Sequence, residues 1–181
     1  MKSFLNIILL IPILLISCGD EKKELPKVTN EQITTEPKEI DACSYLDKTE
    51  IEKIFNIKMK DPKKGRNQKG DANKAAFSEC SFESEENPKI IVSVYIRFTS
   101  IKDENHATIQ SVRNSFKQAA IEVTDVEGAG DVAFWGRNQL HVFEGENYYF
   151  IVTVIGIKEQ EEAIEKAKNV VLYTIKSINS I

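Results

Sequence analysis

Hydrophobic residues recur with two different periods along the chain and predict a mixture of helices and strands. At residues 47–56, 100–120 and 158–177 they recur every three to four positions, which predicts three helices. At residues 89–99 they occupy every second position, which is typical of a strand. Residues 147–156 are apolar on both faces and predict a central strand covered on both sides. The other predicted strands are residues 75–86, 121–126, 131–136 and 139–145.

Two stretches of similar sequence each precede a predicted helix. They are SFESEENPKIIVSV at residues 81–94 and VFEGENYYFIVTV at residues 142–154. Each predicts a hairpin followed by a helix, either as a duplication or as two separate solutions to the same turn. Two such ββα units predict an α+β fold, with an antiparallel sheet of about five to seven strands and helices packed on one face.

The first apolar stretch follows a single basic residue, Lys2, and stops abruptly at a charged run. The stretch, FLNIILLIPILLIS, has about 14 residues, whereas a membrane-spanning helix needs roughly 20. Pro12 also disfavours a continuous helix. A basic start followed by a short apolar region is the pattern of an export signal. We therefore predict a signal peptide at residues 1–17.

The end of this stretch, Leu15-Ile16-Ser17-Cys18, resembles the lipobox of bacterial lipoproteins. The resemblance implies cleavage before Cys18, with acyl chains such as palmitate carried on its sulfur and its new amine. Each buried acyl methylene contributes about 0.8 kcal/mol, so more than one chain anchors a protein stably. Gly19, rather than an aspartate, follows the cysteine. In such lipoproteins this favours the outer membrane, on either its periplasmic or its surface side.

The composition changes again after Cys18. Residues 18–39 lack aromatic residues and are rich in charge, Thr and Pro, so they predict a disordered tether. The remaining residues, 40–181, predict a single domain that is long enough to bury a core.

Two cysteines, Cys43 and Cys80, remain once Cys18 is assigned to lipid. Two cysteines in an exported protein can form a disulfide. They could also be free buried thiols, or could form a metal site with His106 and His141. No two of these four residues have the close spacing of zinc modules. We predict no metal site.

The formal charge of the chain is −4, and about −5 once Lys2 is removed with the signal peptide. This acidic balance argues against nucleic acid as a partner, since phosphate binding needs clustered Lys and Arg. The one basic stretch, KMKDPKKGRNQKG at residues 58–70, contains glycines and a proline and no aromatic residue. It predicts a flexible loop, with a patch for an acidic partner as the alternative.

The stretch VEGAGDVAFWG at residues 126–136 concentrates glycines. It lacks the third glycine and following helix of a dinucleotide site, and the Lys-Ser or Lys-Thr of a P-loop. Gly128 and Gly130 therefore predict a turn with positive φ angles. Trp135 could line a ligand pocket or belong to the core or its rim. We name Trp135, Asp131 and Tyr149 as candidate ligand-binding residues.

No catalytic constellation is apparent in the sequence, and no cofactor is predicted. The histidines are His106, on the polar side of a predicted helix, and His141, on a predicted strand. No G-x-S-x-G motif marks a serine nucleophile. The carboxylates Glu144 and Glu146 fall at a predicted hairpin turn, where exposure to solvent is the ordinary outcome.

Several short motifs together resemble small bacterial lipoproteins of unassigned function. They are Cys43, Cys-Ser-Phe at residues 80–82, Gly-Ala-Gly-Asp-Val-Ala-Phe-Trp at residues 128–135, and Gly145. The resemblance implies an α+β domain with a Cys43–Cys80 bridge and no established catalysis.

These observations favour a lipid-anchored envelope protein whose domain acts by binding rather than by catalysis. Its expected contacts are the membrane, through the lipid, and an envelope protein partner. One alternative is a hydrolase of cell-wall or glycan polymers. The other is an assembly or inhibitor subunit that docks on another envelope protein.

Overall fold

The computed structural model of the protein describes residues 39–180. The predicted signal peptide, the lipid attachment at Cys18 and most of the predicted tether lie outside these residues. The described chain contains a 3-10 helix, Ala42–Tyr45, and three α-helices: α1, Lys48–Phe55; α2, Glu104–Gln118; and α3, Gln160–Asn179. Its strands are β1, Lys63–Gln68; β2, Ala76–Glu83; β3, Ile91–Phe98; β4, Thr124–Asp125; β5, Val132–Gly136; β6, Gln139–Glu144; and β7, Tyr148–Ile155.

All seven strands form one antiparallel sheet in the order β1-β2-β3-β7-β6-β5-β4. The predicted α+β class and strand number are therefore confirmed. The predicted central strand is β7, which pairs with β3 on one side and β6 on the other. The strand predicted at residues 121–126 is reduced to the two residues of β4.

The helices divide between the two faces of the sheet. Helices α1 and α3 bury their apolar stripes against one face, where Ile51, Ala167 and Val171 pack with Val94 and Val152. This is the helix-covered face that the sequence predicts. Helix α2 lies instead against the opposite face, and its Ile109, Val112 and Phe116 contact a smaller cluster of Phe134, Phe143 and Tyr149. A helix's apolar stripe shows that one side of the helix is buried but carries no information about which face of a sheet it reaches.

The first strand occupies a segment for which the sequence predicted a loop. Strand β1 pairs with β2 through a bulge between Lys64 and Asn67, and it forms one edge of the sheet. Nearly all its residues are exposed, so its sequence lacks the alternation of a half-buried strand. Basic side chains on an edge strand also discourage pairing with another chain. The loop prediction for residues 58–70 was wrong for residues 63–68, because pairing with β2, rather than hydrophobic burial, makes them a strand.

The first helix begins as its sequence indicates. The Asp47 carboxylate accepts a hydrogen bond from the Thr49 backbone N–H at 2.6 Å, which caps the helix. Glu50 does not complete a capping box, since its carboxylate contacts the Lys53 ammonium at 2.5 Å. Asn56 ends the helix in the left-handed conformation.

The two predicted hairpin-helix units are present, but they are not equivalent in space. Ser93 of β3 lies directly opposite Thr153 of β7, so these matched positions are cross-strand partners. The matched phenylalanines separate: Phe82 packs in the core on the α3 side, and Phe143 packs in the cluster beneath α2. If the two units were related by the two-fold rotation that pairs antiparallel strands, matched side chains would lie on the same face of the sheet. The similarity therefore does not extend to the packing.

Within residues 39–180, none of the helices combines the length and apolar character needed to cross a bilayer.

Candidate functional site

Helix α2 covers only part of its face of the sheet and leaves the part formed by β2, β3 and β7 open. A shallow groove of about 290 Å³ lies there. This volume is just below the roughly 300–1,000 Å³ of typical ligand pockets, so the groove suits a small or partly enclosed ligand. We call it the open-face groove, and it is lined by Arg66, Phe77, Glu79, Ser93, Tyr95, Gln139, Tyr149, Ile151 and Thr153.

Strand register explains why these side chains meet. Successive side chains of a strand point to opposite faces, so cross-strand partners share a face. Glu79 lies opposite Tyr95, which in turn lies opposite Ile151. The same rows place Thr153 opposite both Ser93 and Gln139.

Aromatic rings project from the strands that form the floor of the groove. The Phe77 and Tyr95 ring centroids are 5.7 Å apart, and the planes are inclined by 32°. Tyr95 meets Tyr149 edge to face at 6.4 Å. Both Phe77 and Tyr95 are partly exposed, whereas Tyr149 is buried. The two accessible rings therefore offer an apolar surface to a ligand.

Polar groups line the groove beside the rings. One oxygen of the Glu79 carboxylate accepts from the Ser93 hydroxyl at 3.1 Å, and the other accepts from Arg66 Nε at 3.3 Å. The Gln139 amide donates to the Thr153 hydroxyl at 3.3 Å. These side chains orient one another and keep further donor and acceptor positions at an accessible surface.

The bulge in β1 brings its backbone close to Glu79. A Cβ atom at Gly65 would lie 3.0 Å from Glu79 Oε2 and 3.1 Å from Glu79 Cβ. Glycine leaves this space to the carboxylate, and Arg66, the next residue, reaches the same oxygen. The segment predicted as a loop therefore supplies one wall of the groove.

Tyr149 joins the groove to the cluster beneath α2. Its hydroxyl lies 2.7 Å from Nδ1 of His141, which is only 3% exposed. The His141 ring stacks on Phe134 at 5.0 Å, and Nε2 has no hydrogen-bond partner. Burial lowers the pKa of His141 to about 4 and raises the pKa of Tyr149 well above its ordinary value. Both groups are therefore neutral near pH 7.

A polar network fixes the start of α2 beside the groove. The Arg97 guanidinium donates to the Glu104 carboxylate at 2.5 Å and to the Asn105 side-chain oxygen at 3.2 Å. The Asn105 amide then donates to the Glu146 backbone carbonyl at 3.1 Å. This network ties the first turn of α2 to β3 and to the β6–β7 turn.

The three ligand-binding candidates named from the sequence do not come together. Tyr149 lines the open-face groove. Trp135 is 3% exposed within the core on the α3 side, with an edge on a separate cavity of about 230 Å³. Asp131 is exposed beside a third cavity of about 190 Å³, where its carboxylate accepts from the Gly145 backbone N–H at 2.8 Å. Trp135 and Asp131 therefore lie outside the groove.

The glycine-rich segment forms the predicted turn. Gly128 and Gly130 have φ angles of +70° and +72°, which favour glycine. A Cβ atom at Gly130 would lie 2.7 Å from the Phe143 carbonyl oxygen, so the turn also needs close backbone approach. The turn leads directly into β5 and forms no phosphate-binding helix start.

Cys43 and Cys80 form a disulfide, with Cα atoms 5.1 Å apart. This pairing excludes the alternatives of free thiols and of a metal site built on both cysteines. His141 is buried with Tyr149, and His106 is exposed on α2. Within the described residues, no three His, Cys, Asp or Glu side chains are placed to hold a metal ion.

Sequence reasoning missed Phe77, Glu79 and Tyr95 as site residues. Each occupies the partly exposed side of a strand, where polar and aromatic residues are ordinary. The available signal was that partly exposed rings fall on neighbouring strands, at Phe77 of β2 and Tyr95 of β3. Only the strand register shows that these two rings are neighbours in the folded chain.

The chain was compared with protein families, curated proteins and solved structures. No protein-family model, no curated protein and no solved structure matches the chain.

Proposed function

We propose that the protein is an exported, lipid-anchored binding protein of the cell envelope and that its ligand occupies the open-face groove. The observation that carries the binding site is the pair of accessible rings, Phe77 and Tyr95, beside the hydrogen-bonding groups of Glu79 and Ser93. Apolar surface with a few oriented polar groups is the usual composition of a ligand site.

The sequence of residues 1–18 supports the anchor. A short apolar region after Lys2 ends in the lipobox-like Leu15-Ile16-Ser17-Cys18, and Gly19 after the cysteine favours the outer membrane. The Cys43–Cys80 disulfide fits this location, because disulfides persist in oxidising compartments outside the cytosol. In this proposal the lipid holds the chain at the membrane, and the domain presents the groove to other envelope components.

The groove can be tested by affinity retention from an envelope extract. The full chain, purified in detergent and immobilised, would be compared with a Phe77→Ala, Tyr95→Ala double variant. We expect the unchanged chain to retain a specific component, identified by mass spectrometry, and the double variant to lose at least about 80% of it. Loss of two aromatic contacts of about 0.5–1.5 kcal/mol each accounts for this change.

A Tyr173→Ala variant is the matched control, since Tyr173 is a partly buried tyrosine on α3 that does not line the groove. It should retain the component as the unchanged chain does. Equal retention by the double variant, or no specific retention by any chain, would contradict a binding role for the groove.

A further inference from the structure

We propose that the open-face groove takes a neutral oligosaccharide, with one or more sugar rings lying on Phe77 and Tyr95. This inference rests on the proposed function, since it assigns a ligand class to the same groove. Three properties of the groove carry it: the kind of groups it offers, its charge, and the match between its mixed surface and the chemistry of a sugar.

The groove recognises its ligand through side chains alone. Its floor is formed by β2, β3 and β7, which are paired on both sides, so their backbone N–H and C=O groups are occupied by the sheet. An extended peptide that adds to a sheet needs a free strand edge. The floor of the groove has no such edge, which disfavours peptide binding by strand addition.

The charges that line the groove cancel. Arg66 and Glu79 are its two charged side chains among the described residues, and they contact each other at 3.3 Å. A strongly anionic ligand would have to compete with Glu79 for Arg66, and a cationic ligand would have to compete with Arg66 for Glu79. A neutral ligand can use the free lone pairs and N–H groups of this pair without separating the two charges.

The groove offers both an aromatic surface and hydrogen-bonding groups, and a sugar ring can use both. A pyranose has C–H groups that can lie on an aromatic face and hydroxyls that both donate and accept. Phe77 and Tyr95 offer the aromatic surface. The carboxylate of Glu79, the amide of Gln139 and the hydroxyls of Ser93 and Thr153 offer both acceptors and donors within the same groove.

The test is an NMR titration of the full chain, with labelled tyrosine rings and side-chain amides, in a detergent without a sugar head group. The probes are chitotetraose, cellotetraose and maltotetraose as neutral oligosaccharides. Tetragalacturonate is the anionic oligosaccharide, and tetra-alanine is the neutral peptide. We expect saturable shifts at Tyr95, Tyr149 and the Gln139 amide with at least one neutral oligosaccharide, and tetragalacturonate should bind at least about tenfold more weakly.

Two variants connect the shifts to the groove. Tyr95→Ala should weaken binding by about 2- to 13-fold, which corresponds to the loss of one aromatic contact of about 0.5–1.5 kcal/mol. Glu79→Gln, of nearly the same shape, should also weaken it several-fold, because the charge-assisted acceptor is lost. Tyr173→Ala on α3 should leave the affinity unchanged. Unchanged side-chain amide signals of Asn105 and Asn147, which donate to backbone carbonyls and do not line the groove, would show in each variant that the fold is intact.

The outcomes separate the ligand class from the proposed function. Groove-dependent binding of tetragalacturonate or tetra-alanine, without the neutral oligosaccharides, would overturn the ligand class and leave the groove as a binding site. Retention of an envelope component that depends on Phe77 and Tyr95, with no response to any neutral oligosaccharide, would likewise overturn the ligand class and leave the groove as a binding site. Shifts that depend on chain concentration without a probe would identify a second copy as the occupant and overturn the proposal.

Discussion

His141 is the residue whose chemistry is most changed by its surroundings. Its ring is enclosed by Phe134, Phe116 and Tyr149, with a hydrogen bond to Tyr149 at Nδ1 and no partner at Nε2. A charged imidazolium would lose its hydration there without gaining a carboxylate, so burial lowers the pKa to about 4. The neutral ring is therefore part of the folded state.

This burial predicts a pH-dependent stability. Between pH 6.5 and about 4 the unfolded chain binds a proton at His141 that the folded chain does not. The contribution of His141 to the free energy of unfolding should fall by up to about 3 kcal/mol as the pH is lowered through this window, and this contribution should level off below it. Urea unfolding of the full chain at a series of pH values measures this change.

A His141→Phe variant should lack this part of the pH dependence, since it keeps an aromatic ring and removes the titrating group. The control is His106→Gln, because His106 is exposed on α2. The free energy of unfolding of His106→Gln should change with pH as it does in the unchanged chain. If His141→Phe lost stability over the same window as the unchanged chain, His141 would not be the group responsible.

The turn before β5 shows how an element depends on a single backbone position. Gly130 combines a φ angle of +72° with a backbone oxygen 2.7 Å from where a Cβ atom would lie. Gly145, in the β6–β7 turn, has a φ angle of +57° and nothing within 4 Å of that position. Alanine variants at the two glycines therefore distinguish the cost of the left-handed backbone conformation from the cost of steric contact.

Gly130→Ala should destabilise the protein by about 2–4 kcal/mol, because both costs apply. Gly145→Ala should cost about 1–2 kcal/mol, since only the left-handed conformation of a non-glycine residue must be maintained. Denaturant unfolding at constant pH measures both variants. Equal losses would show that the turn at Gly130 relaxes enough to accept the added carbon.

At the scale of the molecule, the disulfide ties the start of the described chain to the sheet. It joins Cys43 in the 3-10 helix to Cys80 in β2 across a sequence separation of 37. Closing a loop of this length restricts the unfolded chain by about 4 kcal/mol in the chain-entropy description. Because this effect acts on the unfolded chain, the bridge stabilises the whole fold rather than one part of the sheet.

A Cys43→Ala, Cys80→Ala double variant should unfold at lower urea concentration, with a loss of about 2–4 kcal/mol. Reduction of the unchanged chain with dithiothreitol should produce a comparable loss, and the double variant should not respond to it. Two titratable thiols from Cys43 and Cys80 in the denatured, non-reduced chain would contradict the bridge.

The proposed anchor predicts that acyl incorporation depends on one residue. Cells grown with a labelled palmitate analogue should transfer the label to the full chain and not to a Cys18→Ala variant. The Cys43→Ala, Cys80→Ala variant is the control and should remain labelled. Label that persists in Cys18→Ala would refute lipid attachment there.

The sequence predicted the elements best where hydrophobic burial alone sets the period. Helix α3 has apolar residues on one side, and β3 alternates along its length, so both were predicted close to their observed positions. Strand β1 was missed because its exposed, basic residues carry no such period. The N-terminal pattern at residues 1–18 is likewise a property of sequence, and the lipid attachment it predicts remains a prediction.

Tertiary structure decided which side chains share a site. Tyr95 and Tyr149 belong to distant strands and become neighbours because β3 pairs with β7. Trp135, the candidate most apparent in the sequence, points into the core on the α3 side instead. Local periodicity determines which face of its own strand a side chain occupies, but strand order and helix placement determine which faces meet and which stay open. The groove exists because α2 covers only part of its face of the sheet.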